Sequence, residues 1–362
     1  MEPQLPQDPA PPAVPNLATV PESLPFRDRS TGLWIYGIVE IILGGLAALL
    51  IPFMLLGAAF SRQVAGGPMP AGSYVNGICS YSLAAALLVT LGIGSIRARR
   101  WAWALNLILS WVWLIIGVVA TAALTVLMPP IFAASFRQAA AQTPNAPPLP
   151  TGVLAVILTF VIVFLSIFFV VLPIAFLLFY RRKDVEETCK RRDPVERWTD
   201  RCPLPVLAVS LLLGFGAVYC LLMAVTTPLT PFFGRYLTGL AGAVVLLALA
   251  GIDVFLAYAL YRLRLAGWWL AVSALVLRLI SAILTFRRAD LMQAYSKMGW
   301  SETRVQQMSA NPAFRGGTIV LWWSVVVMVL FLGYMLWIKR YFHGRSFHGT
   351  AVPGGAVQPE MP

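Results

Sequence analysis

Three ionisable side chains, Glu40, Asp253 and Arg278, stand inside long apolar stretches. A charge in such surroundings needs a partner or a water-filled cavity, so these residues are the first candidates for chemistry. Asp253 lies about 10 residues before, and Arg278 about 13 residues after, a turn at 263–266, a height difference of about 5 Å along two helices. Helical side chains tilt toward the N-terminus, which brings the two heads together. We therefore predict an Asp253–Arg278 ion pair.

The pair has two alternative roles. It could pin a helical hairpin, or it could form a site where protonation or an anionic solute competes for Arg278. Glu40 is flanked by Gly37 and by Gly44-Gly45, small residues that permit close helix contact. It could extend the Asp253–Arg278 cluster, or its carboxylate could reach the cytoplasmic interface, and the sequence leaves both open.

Other chemical sets are weaker. Cys189, Cys202, His343 and His348 could offer zinc two thiolates and two imidazoles, but they come from different segments and lack CxxC spacing. Both histidines lie in the C-terminal tail, and no nucleophile–base set or phosphate-binding glycine loop is visible. We therefore predict a protein that is not an enzyme, with no catalytic, cofactor-binding or metal-binding residues.

The composition defines the class of protein. Of 362 residues, 59% are hydrophobic and 12% are charged, with a mean hydropathy of +0.78. Soluble domains are about half apolar and about a quarter charged, so a soluble globular enzyme is excluded, and so is disorder over most of the chain. An all-α polytopic membrane protein remains.

Eight apolar runs predict eight transmembrane helices, because each is about 20 residues or longer, enough to cross about 30 Å of hydrocarbon. They are continuously apolar rather than alternating, which favours helices over a β-barrel. The runs lie at 33–59, 77–96, 102–128, 152–180, 204–227, 238–261, 267–286 and 317–338.

The two halves share features that predict a tandem duplication. Basic residues and a tryptophan mark the turn between the second and third helices of each half, 165 residues apart: Arg97, Arg99 and Trp103, then Arg262, Arg264 and Trp268. The fourth helix of each half also ends in a basic pair. Four helices is an even number, so both units have the same orientation and form two parallel four-helix repeats.

The predicted organisation has five parts. They are a disordered, Pro-rich cytoplasmic tail (1–32), a first four-helix unit (33–180), a charged cytoplasmic linker (181–203), a second four-helix unit (204–341) and a flexible cytoplasmic tail (342–362).

The chain has a net charge of +12, and the distribution of its Lys and Arg residues indicates the orientation. One side of the eight-helix arrangement carries 18 of the 27 Lys and Arg residues and the other carries 8. Lys and Arg concentrate in cytoplasmic loops, so we predict a plasma (inner) membrane protein with both termini cytoplasmic. Arg287 and Arg288 on the outer side oppose this assignment. The same bias accounts for the basic excess without nucleic acid, for which no recognition motif is present.

The linker is predicted to continue the fourth helix until Asp193-Pro194 breaks it. A solvated, self-paired linker is one interpretation, contact with anionic lipid headgroups is a sharper one, and docking of a cytoplasmic partner is a third. The candidate lipid contacts are Arg181, Arg182, Lys183, Lys190, Arg191 and Arg192.

Two outer segments complete the arrangement. Apolar residues at helical spacing predict a short amphipathic helix over 291–298, followed by another around 301–309. The loop 129–150 of the first half has a Pro-rich exit. Both segments could be lids over a cavity, or they could cover helix ends.

Two functional hypotheses follow. The first is a non-enzymatic component that binds or scaffolds other constituents of the membrane, including lipids and a membrane-protein partner. The second is a small-solute or lipid transporter or channel that uses Asp253 and Arg278. Against it, the helices lack matched Gly/Pro interruptions of the kind found at midplane substrate sites.

Overall fold

The computed structural model describes residues 27–61, 70–142, 151–310 and 317–343. Within these ranges eight helices are long and apolar enough to cross a membrane. The chain is therefore all-α in its main architecture, as the composition predicts, and it has the form expected of a multi-pass membrane protein.

The helices of the first half follow the predicted runs with longer ends. They are α1 (Ser30–Ser61), α2 (Ala71–Ile96), α3 (Arg100–Gln142), α4 (Thr151–Ser166), a π-helical segment (Ile167–Val171) and α5 (Leu172–Tyr180). The last three are continuous and form one membrane-length helix. Because α3 continues to Gln142, the predicted loop at 129–150 is helical over most of its length, and residues 143–150 lie outside the described ranges.

The linker contains α6 (Lys183–Arg192) and a 3₁₀ turn (Trp198–Arg201). The second half contains four further long helices and several shorter elements: α7 (Leu204–Thr226), β1 (Leu229–Phe232), β2 (Arg235–Thr238), α8 (Gly239–Tyr261), α9 (Leu265–Arg288), α10 (Leu291–Lys297), α11 (Glu302–Ala310), α12 (Gly317–Ile338) and α13 (Arg340–His343). The short helices α10 and α11 confirm that the segments predicted as helical at 291–298 and around 301–309 are helices.

The β-hairpin between α7 and α8 is not predicted by the sequence analysis. Its turn residues Phe233 and Gly234 both have positive φ, at 40° and 96°. Ser281 and Thr285, one turn apart on α9, hold this turn: the Phe233 amide donates to Ser281 Oγ at 3.0 Å and the Gly234 amide to Thr285 Oγ1 at 3.1 Å. The hairpin therefore depends on α9 as well as on its own ladder.

The π-helical segment has a packing partner on the neighbouring helix. A side chain at Gly117 of α3 would collide with the backbone carbonyl of Phe169. The glycine therefore allows α3 to touch the wider turn of the fourth membrane-length helix. A π-segment inserts one residue into a helical turn, and nothing in the apolar run at 152–180 signals it.

The first and second helices of each half cross at close range. In the first half, a Cβ at Gly37 would lie 2.7 Å from the Gly92 carbonyl oxygen. In the second half, Ser210 Oγ donates to the Ala257 carbonyl at 2.6 Å. Small residues at these crossings let the backbones approach.

Two buried apolar cores lie near the basic ends of the helices. The first core comprises Leu33, Ala98, Trp103, Ala104, Phe176, Tyr180, Val185 and Cys189. The second core comprises Ile108, Cys202, Val206, Leu207, Val209, Leu256, Leu260, Trp268, Ala271, Met335, Ile338 and Phe342. Ile108 belongs to α3, so the second core also ties the two halves together.

The linker differs from its prediction. The fourth membrane-length helix ends at Tyr180, Arg182 is extended, and α6 starts afresh at Lys183. The break turns α6 back so that Val185, Thr188 and Cys189 are buried. The linker is thus docked on the first half, although Asp193 ends α6 as predicted.

The tail boundaries also shift. The α1 helix begins at Ser30, whose amide donates to Asp28 Oδ1 at 2.9 Å. At the other end α13 runs to His343, and Phe342 is buried in the second core. The predicted tails at 1–32 and 342–362 therefore lose residues to the folded part, and 1–26 and 344–362 lie outside the described residues.

Candidate functional site

The predicted ion pair is present. Arg278 Nη2 donates to Asp253 Oδ1 at 2.7 Å, joining α9 to α8. The Asp253 side chain is 3% exposed and that of Arg278 is 31% exposed. The acid is therefore enclosed, and the guanidinium gives it both a counter-charge and a hydrogen-bond donor. Two residues predicted to meet from their heights along a hairpin do meet.

A small cavity lies beside this pair. Its volume is about 30 Å³, and its lining includes Arg278, Leu213 from α7 and Met335 from α12. That volume holds about one water molecule. Apart from the guanidinium the walls are apolar, so the space suits hydration of Arg278 better than an organic solute.

Glu40 lies elsewhere, and both alternatives given for it are wrong. Its side chain is 1% exposed, so it does not reach the interface, and its contacts belong to the first half rather than to the Asp253–Arg278 pair. The hydroxyl of Tyr180, at the end of α5, lies 3.1 Å from Glu40 Oε1. The close crossing of α1 and α2 at Gly37 and Gly92 lies beside the acid, since a Cβ at Gly92 would lie 3.2 Å from the Glu40 Cβ.

Tyr180 is the centre of a buried polar cluster, hereafter the Glu40 cluster: Glu40, Ser95, Asn106 and Tyr180. The Tyr180 hydroxyl lies 2.6 Å from Ser95 Oγ and receives a hydrogen bond from Asn106 Nδ2 at 3.2 Å. Ser95 Oγ in turn donates to the Leu33 carbonyl at 3.2 Å. All four side chains are essentially buried. Glu40 Oε2 and Asn106 Oδ1 are buried without a partner.

The turns at the basic ends have the same geometry in both halves. Ala98 and Leu263, 165 residues apart, have φ of 49° and 54°. Four backbone hydrogen bonds recur at that spacing. In the first half they run from Arg97 to Ile93, Ala98 to Ser95, Arg99 to Gly94 and Trp103 to Arg99, and in the second half from Arg262 to Tyr258, Leu263 to Leu260, Arg264 to Ala259 and Trp268 to Arg264.

The tryptophans that follow these turns make equivalent hydrogen bonds in the two halves. Trp103 Nε1 donates to the Tyr180 carbonyl at 2.9 Å, and Trp268 Nε1 donates to the Met335 carbonyl at 2.8 Å. Each indole therefore ties the third helix of its half to the end of the fourth. A buried indole N–H needs such a partner, which explains the position of these residues.

Each turn also contains one glycine packed against one alanine, in opposite order. A Cβ at Gly94 would lie 2.7 Å from the Ala102 Cβ, and a Cβ at Gly267 would lie 2.6 Å from the Ala259 Cβ. The positions correspond at the spacing of 165, and the glycine has changed places. Each contact has room for one methyl group only.

Asp193 anchors the linker. Its carboxylate is 2% exposed and accepts from Arg197 at 3.1 Å and from the Arg100 amide at 3.4 Å, with Arg99 at 3.6 Å. Burial raises the pKa of Asp193, but these hydrogen bonds and charges outweigh it and hold that pKa below its ordinary value. The charged form therefore belongs to the docked state.

Other linker contacts reach the N-terminal segment. Arg29 pairs with Asp184 at 3.4 Å, and its amide donates to Thr188 Oγ1 at 3.2 Å. Arg192 pairs with Asp28 at 3.2 Å. Burial raises the pKa of the Cys189 thiol on the inner face of α6 to about 12. The linker is thus clamped at both ends and packed at its middle.

All six candidate lipid contacts are exposed on the surface of the linker. Lys190 pairs with Glu186 one turn earlier, and Arg192 has the pair with Asp28. Arg181, Arg182 and Lys183 stand together at the break between α5 and α6. The structure therefore gathers these basic side chains on one end of the molecule, whereas Glu40 and the Asp253–Arg278 pair are interior.

Ser95, Asn106 and Tyr180 were not among the site residues predicted from the sequence. Asn106 sits alone within an apolar run, which is a signal that could have been weighed with Glu40. Ser95 and Tyr180 carry no such signal, because both are common near helix ends. Of the zinc candidates, Cys189 and Cys202 are buried in different cores, and His348 and the His343 side chain lie outside the described residues.

Comparison of the chain with protein-family models, with curated proteins and with solved structures finds no match.

Proposed function

We propose that this protein is a multi-pass component of the plasma membrane that works by association rather than by catalysis, binding anionic lipid headgroups at its basic end. The observation that carries the proposal is the docked linker. It holds Arg181, Arg182 and Lys183 exposed at the point where a membrane-length helix ends. Lys and Arg beside a membrane attract anionic lipids, by about 1 kcal/mol for each residue near the surface.

The orientation belongs to the same proposal. The basic end contains both described chain ends, the linker and the two matching turns, and the opposite end contains the hairpin with α10 and α11. Placing the basic end in the cytoplasm agrees with the distribution of Lys and Arg. Both termini are then cytoplasmic, and lipids with anionic headgroups on that leaflet are the natural ligands.

The two halves are proposed to be parallel repeats. Support comes from the recurring hydrogen bonds at the spacing of 165, from the two indole bonds and from the exchanged glycine–alanine contact. A single basic turn could recur by chance, but the strained φ and the small-residue contact are independent of charge.

The wider association role includes other membrane proteins. The most apolar stretch of the fourth membrane-length helix contains no buried residue. Phe160 and Phe164 stand exposed on this helix with ring centroids 6.5 Å apart. Such a surface is suited to lipid tails or to a partner helix.

Transport through the Asp253–Arg278 region has less support. The pair is closed at 2.7 Å, and the adjacent space holds about one water molecule. A pair that pins α8 to α9 accounts for both observations.

Native mass spectrometry of the protein released from nanodiscs of mixed neutral and anionic lipid tests the proposal. The wild type should retain anionic lipids in preference to neutral ones. Arg181→Gln with Arg182→Gln should lower the number retained, because two exposed charges are lost from the linker.

The matched control is Arg287→Gln with Arg288→Gln, which removes the same charge from exposed residues at the opposite end. It should lower lipid retention by less than the linker variant does, because the linker groups six exposed basic side chains in one segment. Equal losses in both variants, or no preference for anionic lipid in the wild type, would overturn the proposal.

A further inference from the structure

The Glu40 cluster contains a buried acid without a basic partner. The groups that meet Glu40 are Tyr180 and Asn106, with Gly92 of α2 in van der Waals range of its Cβ. None of these is a cation. By contrast Asp253, buried to the same degree, has Arg278.

The charged residues nearest along the packed helices have other roles or other positions. Arg97 is at the α2–α3 turn and is exposed, while Arg99 and Arg100 of that turn pair with Asp193 and Asp200 of the linker. On α5 the titratable group facing Glu40 is Tyr180. An ionised Glu40 would therefore be a buried charge with no counter-ion among the described residues, which is strongly unfavourable.

The number of hydrogens available to the Glu40 cluster also argues against an ionised Glu40. Four contacts run through the cluster: Asn106 to Tyr180, Tyr180 with Ser95, Ser95 to the Leu33 carbonyl, and Tyr180 with Glu40. The Asn106 amide supplies the hydrogen of the first contact. With Glu40 ionised, only the phenol hydrogen and the serine hydrogen remain for the other three contacts, and two hydrogens cannot serve three contacts.

We propose that Glu40 is a proton-binding site, occupied at neutral pH, at the head of a directed hydrogen-bond chain. The carboxylate takes up one proton and forms an O–H bond at Oε1, which donates to Tyr180. The Tyr180 hydroxyl donates to Ser95, and Ser95 donates to the Leu33 carbonyl. Every contact then has its own hydrogen. Oε2 becomes a neutral carbonyl oxygen, which is less costly to leave unpaired than half of a carboxylate.

The hydrogen-bond chain can also run in the opposite direction. When Glu40 loses its proton, the Tyr180 hydrogen turns to Glu40 and the Ser95 hydrogen turns to Tyr180, which frees the Leu33 carbonyl from this contact. Because Leu33 lies in the first turns of α1, the protonation state of an interior acid is coupled to a backbone group near the basic end.

Infrared spectroscopy of the full chain in nanodiscs at pH 7 tests this proposal. The difference between wild type and Glu40→Gln should show loss of the carbonyl band of a protonated carboxylic acid, a band that shifts when the sample is exchanged into deuterated water. Gln is neutral and of similar size, so the fold should persist, as gel filtration would verify.

Tyr180→Phe is the second variant. It removes the acceptor of the acid hydrogen, so the acid band should remain and move to higher frequency. A structural role alone would not produce that shift.

Loss of carboxylate bands without loss of an acid band in Glu40→Gln would overturn the proposal. If that variant fails to fold, wild type labelled with ¹³C-carboxyl glutamate decides instead. Among the described glutamates Glu40 is the one buried residue, so its label should move an acid band, and an acid region without any isotope shift would also overturn the proposal.

Discussion

The two halves of this molecule share a frame at the basic end and differ in how they treat a buried acid. In both, a residue with positive φ sits in the turn, and an indole ties the third helix to the fourth. Above this frame the first half surrounds Glu40 with neutral polar groups, and the second half gives Asp253 an arginine.

The positions that differ are informative. At the spacing of 165, Ser95 corresponds to Leu260 and Asn106 corresponds to Ala271, and both of those residues belong to the second core. Two positions that are polar in the cluster of the first half are therefore occupied by apolar core residues in the second half. Turn geometry allows few substitutions, whereas an interior layer can exchange polar for apolar side chains provided that its hydrogen bonds are made or removed together.

The largest effect is expected from Arg278→Leu. It leaves Asp253 buried without its counter-charge, which costs about 3–5 kcal/mol in a fully buried pair. Because Arg278 is 31% exposed, we expect a loss of about 2–3 kcal/mol in the free energy of unfolding, measured in mixed detergent micelles.

The double variant Asp253→Leu with Arg278→Leu should be more stable than Arg278→Leu alone, because both charges leave together. A double variant less stable than either single variant would remove the pinning role assigned to the pair.

The next effect concerns the exchanged glycine. Gly267→Ala places a methyl group 2.6 Å from the Ala259 Cβ, and overpacking of this kind costs about 1–3 kcal/mol. Adding Ala259→Gly should recover much of the loss, since it copies the arrangement of Gly94 and Ala102. Thermal unfolding of both variants measures this, and an absence of recovery would argue against equivalent turns.

A smaller effect is expected at the linker. Asp193→Asn weakens its charge-assisted hydrogen bonds, and because its arginine partners are partly exposed we expect a loss of about 1 kcal/mol in docking, or about fivefold in opening. The measurement is the labelling rate of the buried Cys189 with a disulfide reagent that reacts in acid, with the rate in the denatured chain as the reference.

The pH dependence follows from the lowered pKa of Asp193. Its contribution to docking is present above the unfolded value of about 3.9 and is lost as the pH falls through the folded value. Labelling of Cys189 in the wild type should therefore stay slow from neutral pH down to about pH 4 and quicken below it. Asp193→Asn should lack this step, and identical pH profiles would show that another group holds the linker.

The smallest effect is expected for Glu40→Gln. One neutral group replaces another in the same cluster, so the unfolding free energy should change by less than about 1 kcal/mol. Asp253→Asn should cost more, because it leaves the Arg278 charge without its partner. A severe loss in Glu40→Gln would indicate that the carboxylate is needed as a charge.

Much of the architecture could be read from the sequence, because membrane-length apolar runs have few alternatives. The Asp253–Arg278 pair was predictable for the same reason: a short hairpin fixes the heights of its residues. Glu40 was not, since the polar groups that surround it, Tyr180 and Asn106, come from distant segments of the chain.

Local exceptions escaped prediction for other reasons. The hairpin turn uses Phe233 at positive φ, an uncommon choice that is tolerated because Ser281 holds its amide. The break after Tyr180 depends on the docking of Val185 and Cys189, a tertiary effect that overrides a helix-forming sequence. The charge pattern of the linker predicted which of its residues face solvent, and it did not predict which residues are buried.

The contrast between the two acids is tested most directly by infrared difference spectra of Glu40→Gln and Asp253→Asn, recorded against wild type in the same nanodiscs at pH 7. We expect the first variant to lose a protonated acid band and the second to lose carboxylate bands. Loss of carboxylate bands in both variants would contradict this expectation, because Glu40 would then be a second buried charge.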